Sequence, residues 1–200
     1  MPELKAILEA LLLAAGEPLA PDRLLAAFPE AERPDRDALR AALAELAADY
    51  AGRGIALVEV ASGFRLQVPK TFSPWVSRLW EERAARYSRA LLETLALIAY
   101  RQPITRGEIE DVRGVSVSSN IMKTLQERGW IKVIGHREVP GRPALYATTR
   151  AFLDYFNLRS LSELPPLAAP RDLDAIGAEL ERRAAVPTED STTRTEPPDG

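Results

Sequence analysis

Few residues in this 200-residue chain have types and spacing from which chemistry could be built. The sole histidine, His136, stands beside Arg137. An imidazole can serve as general base or metal ligand, but both roles need partners at a set spacing, and none is nearby. Glu108, Glu110 and Asp111 gather three carboxylates on one short segment. A hard cation would need further oxygen ligands from elsewhere, whereas a solvated helix face and a capping partner need nothing more. Ser118-Ser119-Asn120 lacks the strand-to-helix elbow that exposes a serine nucleophile. The 11 glycines are scattered at turns and helix ends, so no phosphate-cradling loop is formed. There is no cysteine, hence no disulfide, thiolate ligand or thiol nucleophile, which fits a reducing cytosol. The expectation is a protein that is not an enzyme, with no cofactor, no metal and no small-molecule substrate.

Composition supports an ordinary folded protein. Hydrophobic residues make up 46% and charged residues 28% of the chain, enough apolar material for a core. The stretch Ile7 to Ala15 resembles a signal-peptide core, but Glu9 interrupts it and Glu17 follows. No segment approaches the roughly 18 apolar residues of a membrane span, so the reading is soluble and unexported, with no membrane partner. The net charge of −3 is unevenly spread. Residues 168–200 carry −4 and residues 1–80 carry −2, while residues 86–160 carry +5. A +5 segment could meet nucleic acid, but the chain has no strongly basic footprint.

Periodicity supplies the elements. Leu4, Ile7, Leu8, Leu11 and Leu12 recur at helical spacing up to Gly16. Pro21 and Asp22 open a second helix with Leu24, Leu25 and Phe28, and Asp35 is placed to cap a third with Leu39, Leu43 and Leu46. After Gly52 and Gly54 the pattern turns to alternation: Ile55, Leu57, Val58, Val60, a Ser62-Gly63 turn, then Phe64, Leu66 and Val68. That is a hairpin. Three helices followed by a hairpin is the winged-helix order.

The order then repeats. Residues 88–101 form a helix with Leu91, Leu92, Leu95, Ile98 and Ala99 on its apolar face. Thr105-Arg106-Gly107-Glu108 reads as a capping box for a short helix ending at Gly114. Ser116 is placed to cap the third helix, with Ile121, Met122 and Leu125, which Gly129 closes. A second hairpin runs from Ile131 through the Val139-Pro140-Gly141-Arg142-Pro143 turn to Leu145-Tyr146-Ala147. Pro18-Leu19 before Leu24 falls on Pro103-Ile104 before Ile109 at an offset of 85 residues, which points to duplication. The predicted fold is therefore mainly α with small β-hairpin wings (α+β). Its parts are a first winged-helix domain at 1–70, a helical connector at 71–87, a second winged-helix domain at 88–167, and an acidic, largely disordered tail at 168–200.

Two binding roles compete for this fold. A DNA-reading winged helix inserts its third helix into the major groove. Here that helix offers Ser118, Ser119, Asn120, Lys123, Thr124, Gln126 and Arg128, with Arg137 and Arg142 on the wing. Glu127 interrupts the set, and the equivalent first-half helix carries Glu45 and Asp49. A DNA-binding transcriptional regulator is therefore the alternative. Protein docking is the favoured role. Trp75, Trp80, Trp130, Phe152, Tyr155 and Phe156 are more than two small cores need together; most of them cap those cores, and the rest are of the types that anchor interfaces. Leu4, Ile7, Leu8, Leu11, Leu12 and Leu13 make a wide apolar face on the first helix, part of it core; Leu4, Leu8, Leu11 and Leu12 are the candidate dimer contacts.

The second half also carries a family resemblance. Leu91-Leu92-Glu93-Thr94-Leu95-Ala96, Ile98-Ala99-Tyr100-Arg101-Gln102-Pro103-Ile104-Thr105, Arg113-Gly114-Val115, Pro140-Gly141-Arg142-Pro143, Phe152-Leu153 with Tyr155-Phe156, and Leu164-Pro165-Pro166-Leu167 closely resemble the segregation and condensation protein B (ScpB) family. The match is dense over 88–167; the first 80 residues match in layout, and the stretch beyond 168 does not match. Trp130 departs from the smaller aliphatic residue expected there, and His136 from a basic one. The resemblance implies a homodimer paired through its first winged helices. The second winged helices would grip the kleisin ScpA and, through it, the SMC ATPase, in chromosome condensation and segregation during cell division. It implies a cytoplasmic, nucleoid-associated protein whose DNA contact is weak or indirect. Tyr100, Arg101, Arg142, Tyr155 and Phe156 are the kleisin-binding candidates, Tyr100 and Arg142 having a purely structural alternative at the turn and wing.

Overall fold

The computed structural model describes residues 3–79 and 87–166, together with Gly177. Helix α1 (Leu4–Ala15) ends where Gly16 takes a left-handed conformation, φ 62°. Pro21 opens α2 (Pro21–Ala26), its missing N–H being one that a helix start leaves unpaired anyway. Asp35 caps α3 (Arg36–Asp49) by accepting from Ala38 N–H at 2.7 Å. The three helices bury Leu8, Leu12, Leu24, Leu39, Leu43 and Leu46 in one cluster. Strands β1 (Ala56–Val60) and β2 (Gly63–Gln67) form the antiparallel hairpin, with Leu57 opposite Leu66.

Leu19 joins that hairpin as an isolated bridge to Phe64, with reciprocal N–H···O bonds of 2.8 and 2.9 Å. The bridge dictates the residue at position 63. Gly63 has φ 132°, and a Cβ there would lie 2.1 Å from the Leu19 carbonyl oxygen. Only glycine permits both the backbone angle and the approach.

Past Pro69 the chain enters a 3-10 turn, the short helix α4 (Ser73–Val76) and a further 3-10 turn over Ser77–Leu79. The helical connector expected at 71–87 is thus broken as far as it is described, and residues 80–86, including Trp80, lie outside the described residues. Pro74 lies in the first turn of α4 and the two 3-10 turns flank it, so no continuous α-helix runs through the described residues 70–79.

In the second half, Ser88 caps α5 (Arg89–Arg101), which buries every residue from Leu91 to Ala99 except Glu93. A short strand β3 (Ile104–Thr105) follows, an element that a two-residue apolar signal does not announce. The expected capping box opens α6 (Arg106–Arg113): Thr105 Oγ1 accepts from Glu108 N–H, and the Glu108 carboxylate accepts from Thr105 N–H at 2.8 Å. Helix α7 (Ser119–Glu127) is capped by Ser118, not Ser116. The reason is spacing. Ser118 Oγ reaches Asn120 N–H at 3.2 Å, whereas Ser116 lies before Val117, which is tied by its N–H to Glu110.

Strands β4 (Ile131–His136) and β5 (Ala144–Thr148) complete a three-stranded antiparallel sheet of order β3-β5-β4, with an irregularity between Val133 and Gly135. Ile104 pairs with Tyr146 across this sheet. The Leu19–Phe64 bridge is its counterpart in the first half, Leu19 standing 85 residues before Ile104, a pairing one step short of a strand. Thr149 caps α8 (Arg150–Tyr155), which stops before Asn157, at φ 55°. The second core gathers α5, α6, α7 and α8 around Leu95, Ile98, Ile109, Leu125 and Phe152. The fold is thus α+β, with small antiparallel sheets beside helices. Expectations for residues 168–200 lie outside the described residues, Gly177 aside.

Candidate partner-binding surfaces

Helix α8 sets the aromatic side chains of the second half. Thr149 holds its start by accepting from Phe152 N–H and donating its hydroxyl to the Gly129 carbonyl. Helical spacing then sends Phe152 and Phe156 inward and leaves Tyr155 39% exposed. Trp130 forms the floor beneath them. Its ring centroid lies 4.6 Å from Tyr155, 5.0 Å from Tyr87 and 5.5 Å from Phe156. The Arg128 guanidinium sits 5.5 Å above the Tyr87 ring. Burial, then a hydrogen bond with Tyr87, pushes the Tyr155 phenol up to about 12, so it stays neutral near pH 7. The result is a partly exposed aromatic platform with a polar tip and a cationic edge, the kind of surface that anchors a polypeptide partner.

Trp130, Phe152 and Phe156 are among the aromatics that close the core, each 2% exposed or less. Phe156 therefore drops out as a contact residue, because its ring is already packed against Phe152, Trp130 and Tyr155.

The remaining kleisin-binding candidates do not form one cluster. Tyr100, near the end of α5, donates its hydroxyl to the Pro165 carbonyl at 2.6 Å and so fastens the segment after α8. Its neighbour Gln102 bonds the Ala99 carbonyl and the Thr148 N–H, locking α5 to β5. Arg101 is exposed and edges a shallow depression of about 300 Å³ with Pro103, Ile104, Glu108, Asp111 and Val112. Arg142 sits at the wing tip with φ 39°, its guanidinium 3.3 Å from Glu138.

The carboxylates are committed to structure. Glu108 serves the capping box and also meets Arg137 at 2.8 Å; its carboxyl is held below the usual range, chiefly by Thr105 N–H. Glu110 accepts from Val117 N–H at 2.8 Å and Arg106 Nε at 2.9 Å, and is lowered mainly by the former. Among the described residues no group of three or more His, Cys, Asp or Glu is placed to hold a metal ion. No described helix is long and apolar enough to cross a membrane. Three of the four basic residues proposed for phosphate contact are in ion pairs: Lys123 faces Glu127 at 3.6 Å, Arg137 meets Glu108, and Arg142 meets Glu138, while Arg128 lies over the Tyr87 ring. Each pair must be broken or shared before a phosphate is bound.

On the first half, the four leucines proposed for dimer contact divide. Leu8 and Leu12 are 0% and 2% exposed inside their own core, so neither has surface to offer a second copy. Leu4 and Leu11 are partly exposed and pack against that core. The apolar surface that remains open was signalled less directly. Leu13 is 70% exposed, one residue and so about 100° round the helix from Leu12. Trp75 and Leu79 are 65% and 76% exposed, and Phe72 lies 6.5 Å from Trp75, ring to ring. Phe72 also lines a groove of about 340 Å³ with Tyr50, Arg53, Leu57 and Pro69.

Comparison with known proteins places this architecture. The family model described as "Segregation and condensation complex subunit ScpB" matches residues 6–167. A segregation and condensation protein B homolog of Coxiella burnetii is 56% identical over 194 residues, covering 96% of this chain and 93% of that protein. Segregation and condensation protein B of Bacillus subtilis is 40% identical over 179 residues, covering 88% and 89%. Among solved structures, ScpB from Mycobacterium tuberculosis is 38% identical, covering 78% of this chain and 96% of that one, at a TM-score of 0.36. A structure described as a dimer of the ScpB N-terminal domain complexed with an ScpA peptide is 32% identical, covering 42% and 99%, also at 0.36. On the extent of the family match and the identity to these relatives, the chain belongs to the ScpB family of segregation and condensation complex subunits.

Proposed function

We propose that this chain is a non-catalytic subunit of a bacterial SMC–kleisin complex, a homodimer that binds the kleisin ScpA and through it the SMC ATPase. In this role it supports chromosome condensation and segregation during cell division, in the cytoplasm and in association with the nucleoid. The observation that carries the reading is family membership over residues 6–167. The physical picture supports it. Each half is read as a winged-helix domain, at 1–70 and 88–167, joined by a connector at 71–87. Each offers exposed apolar or aromatic side chains for docking rather than a catalytic set.

Pairing of two copies is assigned to the open apolar side chains of the first half, Leu13, Phe72, Trp75 and Leu79, with Leu4 and Leu11 at the margin. Kleisin binding is assigned to the second half, with Tyr155 as anchor, Arg101 as a charged neighbour on another face, and Tyr100 and Arg142 as residues that hold the segment after α8 and the wing. The DNA-binding regulator has less support, since Lys123, Arg137 and Arg142 are already in ion pairs. Direct DNA contact is weak or indirect on this reading.

A pull-down with the purified kleisin tests the assignment. Tyr155→Ala combined with Arg101→Ala should lower affinity at least about tenfold, as loss of two anchors does, with a cooperative thermal transition kept at a lowered midpoint. Unchanged affinity in a folded double variant contradicts the placement.

A further inference from the structure

The two halves keep apolar cores that share no residue, yet the β1–β2 hairpin touches the end of α8. The Asp154 carboxylate accepts from the Ser62 N–H at 2.9 Å and from its hydroxyl at 2.6 Å. Ala61 N–H donates to the Leu158 carbonyl at 3.0 Å. Arg65 Nη2, from β2, donates to the Asp154 carbonyl at 2.9 Å and to the Asn157 side-chain oxygen at 2.8 Å. At the margin, Arg159 faces Glu59 at 3.7 Å.

We infer that this hairpin is a reversible latch, holding the two halves in a closed arrangement and able to release without unfolding either. Its named contacts are polar, so on release each can be exchanged for a bond to water at small net cost. Closure leaves Arg65 Nε buried with no hydrogen-bond partner, an expense that only the closed arrangement carries. Each core is assembled from its own half, and of the second core only Leu158 bonds the hairpin, through its carbonyl. Such an interface sits near balance, where a modest bias selects the open or the closed population. The inference concerns the chain by itself and does not depend on kleisin binding.

The absence of cysteine gives a clean test. Glu59→Cys with Arg159→Cys replaces the outermost, exposed pair, at the further loss only of the exposed Arg159–Glu163 ion pair, and a short bismaleimide should join the two positions within one chain. The product keeps the monomer mass on a denaturing gel. Adding Asp154→Ala and Arg65→Ala should slow this intrachain reaction roughly threefold or more, while the thermal transitions of both halves persist. Should Asp154→Ala disturb α8, read from the near-ultraviolet signal of the Trp130 cluster, Ser62→Ala with Arg65→Ala acts from the hairpin side and carries the same expectation. An unchanged rate overturns the latch. So do crosslinks formed only between two chains, and so does a hairpin-side variant in which both halves lose their thermal transitions.

Discussion

The Tyr50 hydroxyl donates to Glu9 Oε1 at 2.6 Å, fastening the end of α3 to the middle of α1 across 41 residues of chain. Lys5 meets Asp49 at 2.7 Å along the same helix pair. Burial, followed by the bond to Glu9, pushes the Tyr50 phenol up to about 12.

Tyr50→Phe keeps the ring and removes the bond, so it should cost about 1–2 kcal/mol in urea unfolding. The raised phenol also sets an alkaline limit. Its folded value lies above the unfolded value near 10, so the fold favours the neutral form. That contribution is whole below about pH 10 and is lost as pH rises through about 12. The Tyr50→Phe chain should lose less stability than the parent over this window, as denaturant titrations at stepped pH would read.

The capping box makes an opposite prediction at low pH. Thr105→Ala should cost about 1 kcal/mol. Glu108 is held below its ordinary value, first by Thr105 N–H and then by the Thr105 hydroxyl and Arg137. Its contribution is present above the unfolded carboxylate range and is lost as pH falls through the lowered folded value. Glu108→Gln should flatten that acid limb in thermal melts taken between about pH 5 and 2.

Two glycines should behave oppositely. Gly63→Ala meets both the left-handed backbone and the Leu19 carbonyl 2.1 Å away. It should destabilise the first half by more than about 3 kcal/mol. Gly107, inside α6, has open space around it, so Gly107→Ala should be stabilising by about 0.5–1 kcal/mol. Calorimetry of the two variants separates these outcomes by sign.

Exposed and buried leucines offer a further contrast. Leu8→Ala should cost about 2–5 kcal/mol in stability because it hollows the first core. Trp75→Ser with Leu79→Ser should leave the melting temperature within a few degrees yet weaken self-association. Sedimentation of these variants over a dilution series distinguishes a core effect from a surface one.

Much of this was legible in the residues themselves. Periodicity places α1, α3 and α5 because each has an apolar stripe, and Gly16 and Asp35 stop and cap as their chemistry suggests; Ser88, read as the first helical residue, is the cap of α5. The capping box at Thr105 and Glu108 was readable for the same reason, being local. What escaped depends on distant chain. Strand β3 exists because β5 arrives beside Ile104, and Ser118 replaces Ser116 as cap because Glu110 claims the Val117 N–H. The candidate surfaces were read less well. An apolar stripe does not say which side is covered, so Leu8, Leu12 and Phe156 were assigned to partners although their own cores enclose them. Leu13, on the same apolar face, is the one of these leucines left mostly open.

The claim on which the rest turns is that this chain works by docking onto other polypeptides. Light scattering on the purified protein, alone and mixed with its kleisin, addresses it directly. The account predicts twice the chain mass alone and a stable joint peak with the kleisin. A particle of single-chain mass that elutes apart from the kleisin at micromolar concentration would contradict it.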